Sequence, residues 1–288
     1  RARYNGEFIS SNWSNQLEFY YSGQDITIYT GSLDNTIKRL NPDGNEIWTF
    51  NGFSDSLRGI DIDSSGNVYV GSYGLEIKKI DIDGNEVWSF IGSGTATRFW
   101  DVAVDSNGYV YGGTNDSTLI KLDSNGTEIT SGGWPFTGHT DSVFVIDTDS
   151  NGYVYTASYD QTVKKIDSDG NEIWSYSGLT NNGYSITVDP IGNVYAASYD
   201  VIKIDSSGNE IWRFSGHSST IFGLAVDSNG NVYSGSQDAT VKKIDSNGNE
   251  VWTFTGHTDR IFDISIDSDN NIYTGSRDIT VKKIDSSG

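Results

Sequence analysis

Residues 231–254 read NVYSGSQDATVKKIDSNGNEVWTF. Three short β-prone runs stand in this stretch, divided by a bend at Gln237-Asp238-Ala239 and a tight turn at Ser246-Asn247-Gly248-Asn249. Runs of this length, rich in Val, Ile, Tyr and Trp and bounded by Asn-Gly or Ser-Gly pairs, form antiparallel hairpins, because such turns match the twist of the strands they join. Working outward, the apolar run that starts at Ile221 supplies one more strand before the turn Ser228-Asn229-Gly230-Asn231. The unit is therefore expected to hold strand A over 221–227, B over 232–236, C over 240–245 and D over 250–255.

The same text recurs along the whole chain. The Tyr of its Val/Ile-Tyr step falls at Tyr29, Tyr69, Tyr111, Tyr155, Tyr195, Tyr233 and Tyr273, with intervals of 40, 42, 44, 40, 38 and 40 residues. A single four-stranded meander with apolar residues on both faces cannot cover itself, whereas radial stacking against two neighbours covers both faces. The expected fold is all-β: one domain over 1–288, a seven-bladed β-propeller of four-stranded antiparallel blades. The seventh copy stops after strand C, at VKKIDSSG, while Gly6-Glu7-Phe8-Ile9-Ser10 has the length and pattern of a strand D. Residues 1–14 are thus read as a closing strand and lead-in, pairing beside residues 281–285 and removing the open edge at the seam.

Composition fits this frame and narrows the function. Gly is frequent (33 residues) and Pro scarce (3), so the turns rely on residues that tolerate positive φ. A net charge of −20, from 39 acidic against 19 basic residues, repels polyphosphates and argues against nucleic acid. With no Cys there is neither a disulfide framework nor a thiolate site. No apolar run approaches the ~18 residues of a membrane-spanning helix. The opening RARYNGEF, without Met or an apolar leader, is read as the start of a piece cut from a longer chain.

The residues also carry a resemblance. Gly138-His139, followed by a strand and then by Ser158-Tyr159-Asp160 and a terminal Asp167, resembles a WD repeat, as do Gly216-His217 with Ser236 and Asp238, and Gly256-His257 with Ser276 and Asp278. Where the WD repeat has Trp before its terminal Asp, this chain has Leu40, Ile80, Leu122, Ile166, Ile204, Ile244 and Ile284. The resemblance implies a Trp-Ser-His-Asp hydrogen-bond tetrad reduced here to Ser, His and Asp, in three blades. Residues 166–174, IDSDGNEIW, are similar instead to the quinoprotein-like repeat. That likeness implies a Trp docking one blade on the next, at Trp48, Trp88, Trp174, Trp212 and Trp252, with Trp134 displaced by an insertion.

Several constellations invite chemistry and are read as structure. A Ser, His and Asp suggest a triad, yet the set recurs three times in one frame, so buried polar links between the loop before strand A and the B-to-C bend are expected. Asp167-Ser168-Asp169-Gly170-Asn171-Glu172 is too short and too variable among the copies for a calcium loop, and hairpin chemistry accounts for it. Lys-Lys-Ile-Asp at 78, 164, 242 and 282 is expected to form a solvated row offset by nearby acids. No catalytic residue, metal or cofactor is assigned.

The informative positions are those that differ between copies. Just before the Asp of the B-to-C bend stand Leu33, Tyr73, Asn115, Tyr159, Tyr199, Gln237 and Arg277. At the start of strand A stand Arg58, Trp100, Phe144, Tyr184, Phe222 and Phe262, with Arg98 and Arg260 two residues ahead of Trp100 and Phe262. Phe222 shares parity with Leu224 and Val226, so inter-blade core is the simpler reading of this second column. Tyr, Trp and Arg nevertheless dominate recognition surfaces. Arg58, Tyr73, Arg98, Trp100, Tyr159, Tyr184, Tyr199, Arg260 and Arg277 are therefore the expected partner-binding residues. The expected function is a non-enzymatic scaffold for a protein or peptide, present as a monomeric domain. A carbohydrate-binding or adhesion module in an extracellular or surface setting is the alternative, and a quinoprotein-like oxidoreductase a third.

Overall fold

A computed structural model describes residues 15–22, 25–32, 34–41, 45–267 and 270–288. All regular structure among them is β, arranged in seven antiparallel sheets that follow one another along the chain. Blades 1 to 7 span 15–50, 57–91, 99–122, 143–176, 185–214, 221–254 and 261–284. In blade 6 the strands are Ile221–Val226, Val232–Ser236, Val241–Ile244 and Glu250–Phe254, within one residue of the expected bounds at each end. Strand A of each blade packs on strand A of the next from blade 1 to blade 7, which makes A the inner strand around the propeller axis and D the outer one.

Two blades depart from four strands among the described residues. Blade 3 has three, because the inserted residues around Trp134 break its outer strand into the isolated bridges Leu119 to Phe136 and Leu122 to Glu128. Blade 7 also has three. The segment read as its closing strand, residues 6–10, lies outside the described residues.

The core is a set of wedges between blades. Among the described residues six apolar clusters join consecutive sheets. In one of them Tyr195, Ala197 and Val201 of blade 5 meet Ile221, Leu224, Val232 and Ile244 of blade 6. Tyr29 reaches the Gly66 carbonyl of the next blade at 3.1 Å, while Tyr69, Tyr111, Tyr155, Tyr195 and Tyr233 enter such wedges and send their hydroxyls to the Asp of the A-to-B turn, as in Tyr69 to Asp63 (2.9 Å) and Tyr155 to Asp149 (3.0 Å). Burial, then the neighbouring Asp, pushes these phenols far above their ordinary range, so they stay neutral donors. The first lysines of strand C in blades 2, 4 and 6, Lys78, Lys164 and Lys242, are buried and do not form a solvated row. Lys242 is only 8% exposed and reaches Glu250 on strand D at 2.9 Å, while the next lysine, Lys243, lies 5.2 Å from the Tyr233 ring centre. Strand D covers the first lysine and the Tyr ring takes the second, and the long stems bury with them.

At the outer rim one joint repeats. The indole N–H of Trp212 donates to the Ser246 carbonyl of the next blade at 3.0 Å, and Trp48, Trp88, Trp134, Trp174 and Trp252 do the same to Ile82, Ser124, Ser168, Ser206 and Ser286. The accepting turn requires glycine: Gly248 has φ +90°, and a Cβ there would stand 3.0 Å from the Trp212 ring. Trp134 keeps the joint despite the insertion ahead of it.

Candidate functional site

The recurring carboxylates are spent on turns. Asp167 accepts from the backbone N–H of Asp169 (2.9 Å) and Asn171 (2.8 Å), and Glu172 pairs with Lys164 at 2.8 Å. Hydrogen-bond donors, and no converging oxygens, surround this calcium-like sequence. Among the described residues no three His, Asp or Glu side chains come together as metal ligands would.

The His–Asp links are present, with a different hydroxyl. His139 Nδ1 lies 2.8 Å from Asp160, and its Nε2 lies 2.7 Å from Thr156 of strand B. His217 joins Asp238 and Ser234, and His257 joins Asp278 and Thr274. Ser158, the expected third member, instead donates to the Asp141 carbonyl and accepts from the Asp160 N–H. Both imidazole nitrogens are therefore committed, and the Ser of each frame is not the hydroxyl that His holds. Burial alone raises the carboxyls of Asp160, Asp238 and Asp278, but the hydrogen bonds from His and Thr outweigh it and hold all three well below the usual carboxylate range. Blades without His satisfy the same bend otherwise: Arg213 reaches Asp200 at 3.0 Å, and the hydroxyls of Thr95 and Thr114 reach Asp116.

The variable positions gather at one mouth of the axis, where strand A begins beside the B-to-C bend. A β-bulge makes the site. In blade 6 the ladder pairs Ile221 with Ser236 and Gly223 with Gly235, leaving Phe222 out of register. Blades 3, 4 and 7 skip Trp100, Phe144 and Phe262 in the same way, and blade 2 skips the pair Arg58 and Gly59. A bulge re-aims the extra side chain. Phe222 therefore does not follow Leu224 and Val226 into the core; Ile221 does.

The released side chains join Tyr73 and Tyr159 of the B-to-C bend, and Tyr184 of the unbulged blade 5, in a row of rings. Tyr73 meets Trp100 edge-on at 5.6 Å, and Trp100 meets Phe144 at 5.1 Å. Tyr159 stacks on Phe144 at 4.8 Å. The row continues from Phe144 to Tyr184 (5.6 Å), Phe222 (5.4 Å) and Phe262 (5.9 Å). Cations flank it. The Arg58 guanidinium lies 3.9 Å above the Tyr73 ring centre, and Arg98 lies 4.6 Å from Tyr73 and 5.4 Å from Trp100. At the other end Arg260 lies 5.9 Å from Phe262.

Of the expected site residues, Arg58, Tyr73, Arg98, Trp100, Tyr159 and Tyr184 are contiguous. Tyr199 is 46% exposed beside Tyr184, whose phenol is raised by burial and, to a smaller extent, by Tyr199. Arg277 is exposed and touches the row through its backbone N–H on the Arg260 carbonyl. Leu33 lies outside the described residues. Phe144 (2% exposed) and Phe262 (8% exposed) are buried as the core reading expected and also join the row by their rings, whereas Phe222 is half-buried at the mouth. Their signal in the sequence is two adjacent apolar residues, as in Ile221-Phe222, where a regular strand would alternate.

The family model described as WD domain, G-beta repeat matches residues 132–167, 208–245 and 248–285, and each match contains one of the three His–Asp links. Three stretches of this seven-bladed β-propeller thus match the WD repeat. No curated relative matches it. WD-repeat propellers are generally scaffolds that bind proteins or peptides and are typically not enzymes, which agrees with a polar network buried as links and a mouth lined by rings.

Proposed function

We propose that this propeller is a non-enzymatic scaffold that docks a protein or peptide partner on the mouth lined by Arg58, Tyr73, Arg98, Trp100, Tyr159, Tyr184, Tyr199, Arg260 and Arg277. The supporting observation is the bulge at the start of strand A. In blades 2, 3, 4, 6 and 7 it takes Arg58, Trp100, Phe144, Phe222 or Phe262 out of the ladder, and Arg and aromatic residues bring large contact area. Inter-blade packing elsewhere supplies the rigid frame such a surface needs.

The test presents the purified chain to a peptide array and a glycan array in parallel. Retention of peptides is expected, with affinity reduced about tenfold or more in the double variant Tyr159→Ala/Tyr199→Ala while thermal unfolding shows the fold intact. Retention of glycans alone overturns the reading in favour of a carbohydrate-binding module. Retention of neither, or peptide binding indifferent to the double variant, overturns it as well.

A further inference from the structure

The row of rings is not chemically uniform. At its blade 2 and blade 3 end, two guanidinium groups share two ring faces: Arg58 lies 3.9 Å from the Tyr73 centre and 5.7 Å from Trp100, while Arg98 lies 4.6 Å and 5.4 Å from the same two rings. Arg58 is the inner of the pair, 8% exposed, and Arg98 the more accessible. Burial, with the Arg98 charge opposing it further, lowers the Arg58 guanidinium from its ordinary value, although a guanidinium remains a cation at any working pH. Two cations side by side repel, and placing them over ring faces offsets only part of that cost.

These contacts decide the sign of the ligand. An aromatic cage with open faces attracts cations, but here the faces of Tyr73 and Trp100 already hold the chain's own guanidiniums, so an ammonium ligand meets positive charge instead. A carboxylate meets the donors of Arg98, whose side chain has no carboxylate partner among the described residues and whose fork geometry suits a planar anion. At the far end of the row, Arg260 beside Phe262 shares its charge with Asp259, 4.0 Å away, so the Arg58 and Arg98 end is the basic one. All of this stands on a chain of net charge −20, which discourages a long polyanion but leaves room for a short acidic segment at a locally basic mouth.

We infer that the partner segment is an acidic peptide, with a carboxylate held by Arg98 against Tyr73 and Trp100 and an apolar or aromatic residue laid on the half-buried rings of Tyr159 and Tyr184. The inference rests on the docking function proposed above and specifies its ligand. The carboxylate has two possible sources, an Asp or Glu side chain or a peptide C-terminus.

The experiment pans two random peptide libraries on the intact chain, one displayed with free C-termini and one with internal random segments. Peptides enriched on the wild type are then titrated against Arg98→Glu, Arg98→Lys and Tyr159→Ala/Tyr199→Ala, with thermal unfolding as the check on folding. Enrichment of Asp and Glu is expected, with affinity weakened about tenfold or more by Arg98→Glu, less by Arg98→Lys, and weakened again by added salt. Preference for the free-end library identifies a terminal carboxylate, and preference for the internal one a side chain. Enriched peptides that are neutral or basic, yet lose binding in the Tyr double variant, overturn the acidic-ligand inference and leave the docking function standing. Peptides indifferent to the Tyr double variant overturn both.

Discussion

The outer rim and the mouth of the axis are built from the same repeat and behave oppositely. At the rim, six Trp residues make one hydrogen bond to the next blade, all between 3.0 and 3.3 Å. At the mouth, one position of the repeat is Arg58, Trp100, Phe144, Tyr184, Phe222 and Phe262. The difference lies in the ladder. Each Trp is hydrogen-bonded to the glycine-bearing turn of the next blade and, except for Trp134, is also held by the strand D that carries it, so any other residue would open the joint. In the five bulged blades that residue answers to no cross-strand partner, and the copies differ there without disturbing the sheet.

The contrast can be broken experimentally. Trp212→Ala removes the ring that packs on Gly248 together with the bond to Ser246, and should cost about 3 kcal/mol, measured by denaturant unfolding. Adjacent residues on either side of the bulge offer a sharper trial. Ile221→Ala, in the fully buried wedge, is expected to cost about 2–3 kcal/mol, and Phe222→Ala, at the half-buried mouth, about 1 kcal/mol. Equal costs would show that Phe222 is core after all.

The His–Asp links set a third level. Asp238→Asn leaves His217, Thr240 and the Ser218 N–H with a weaker acceptor, and should cost about 1–2 kcal/mol at neutral pH. The carboxyls of Asp160, Asp238 and Asp278 lie below the unfolded value of ~3.9. As pH falls below ~4 the unfolded chain therefore takes up protons that the folded one refuses, and the stability these groups contribute above that pH is lost. Urea midpoints from neutral pH down to acid should fall more steeply for the wild type than for Asp238→Asn. The smallest effect is a gain. Ile279, 93% exposed, holds φ +64°, a conformation that a β-branched residue adopts at a cost, so Ile279→Gly should stabilise the chain by about 1 kcal/mol.

Architecture was legible because it is written seven times: the Tyr column counted the blades, and the Asn-Gly and Ser-Gly turns placed the strands of blade 6 to within a residue. The site was legible in part. Comparing copies picked out Arg58, Trp100 and Tyr184 as variable, but period-2 parity assigned Phe222 to the core. Parity fails at a bulge, where a residue is inserted without changing the strand's direction. The lysines of strand C were misjudged for a related reason. Charge suggests solvent, whereas Lys242 is roofed by Glu250 and Thr253 from a strand whose register composition does not reveal. Ser158 was named as the His139 partner because the WD-repeat resemblance implies a Ser in that link, whereas strand B places the Thr156 hydroxyl 2.7 Å from His139.

Every rim Trp points the same way along the chain, from one blade to the turn of its successor. Each unit thus offers a plug on one side and a socket on the other, an asymmetric joint that repeats head to tail until rotation brings it round. A peptide holding one such unit, cut free of the rest, would carry both halves of the joint. At sufficient concentration it should gather into circlets of discrete size, visible by native mass spectrometry.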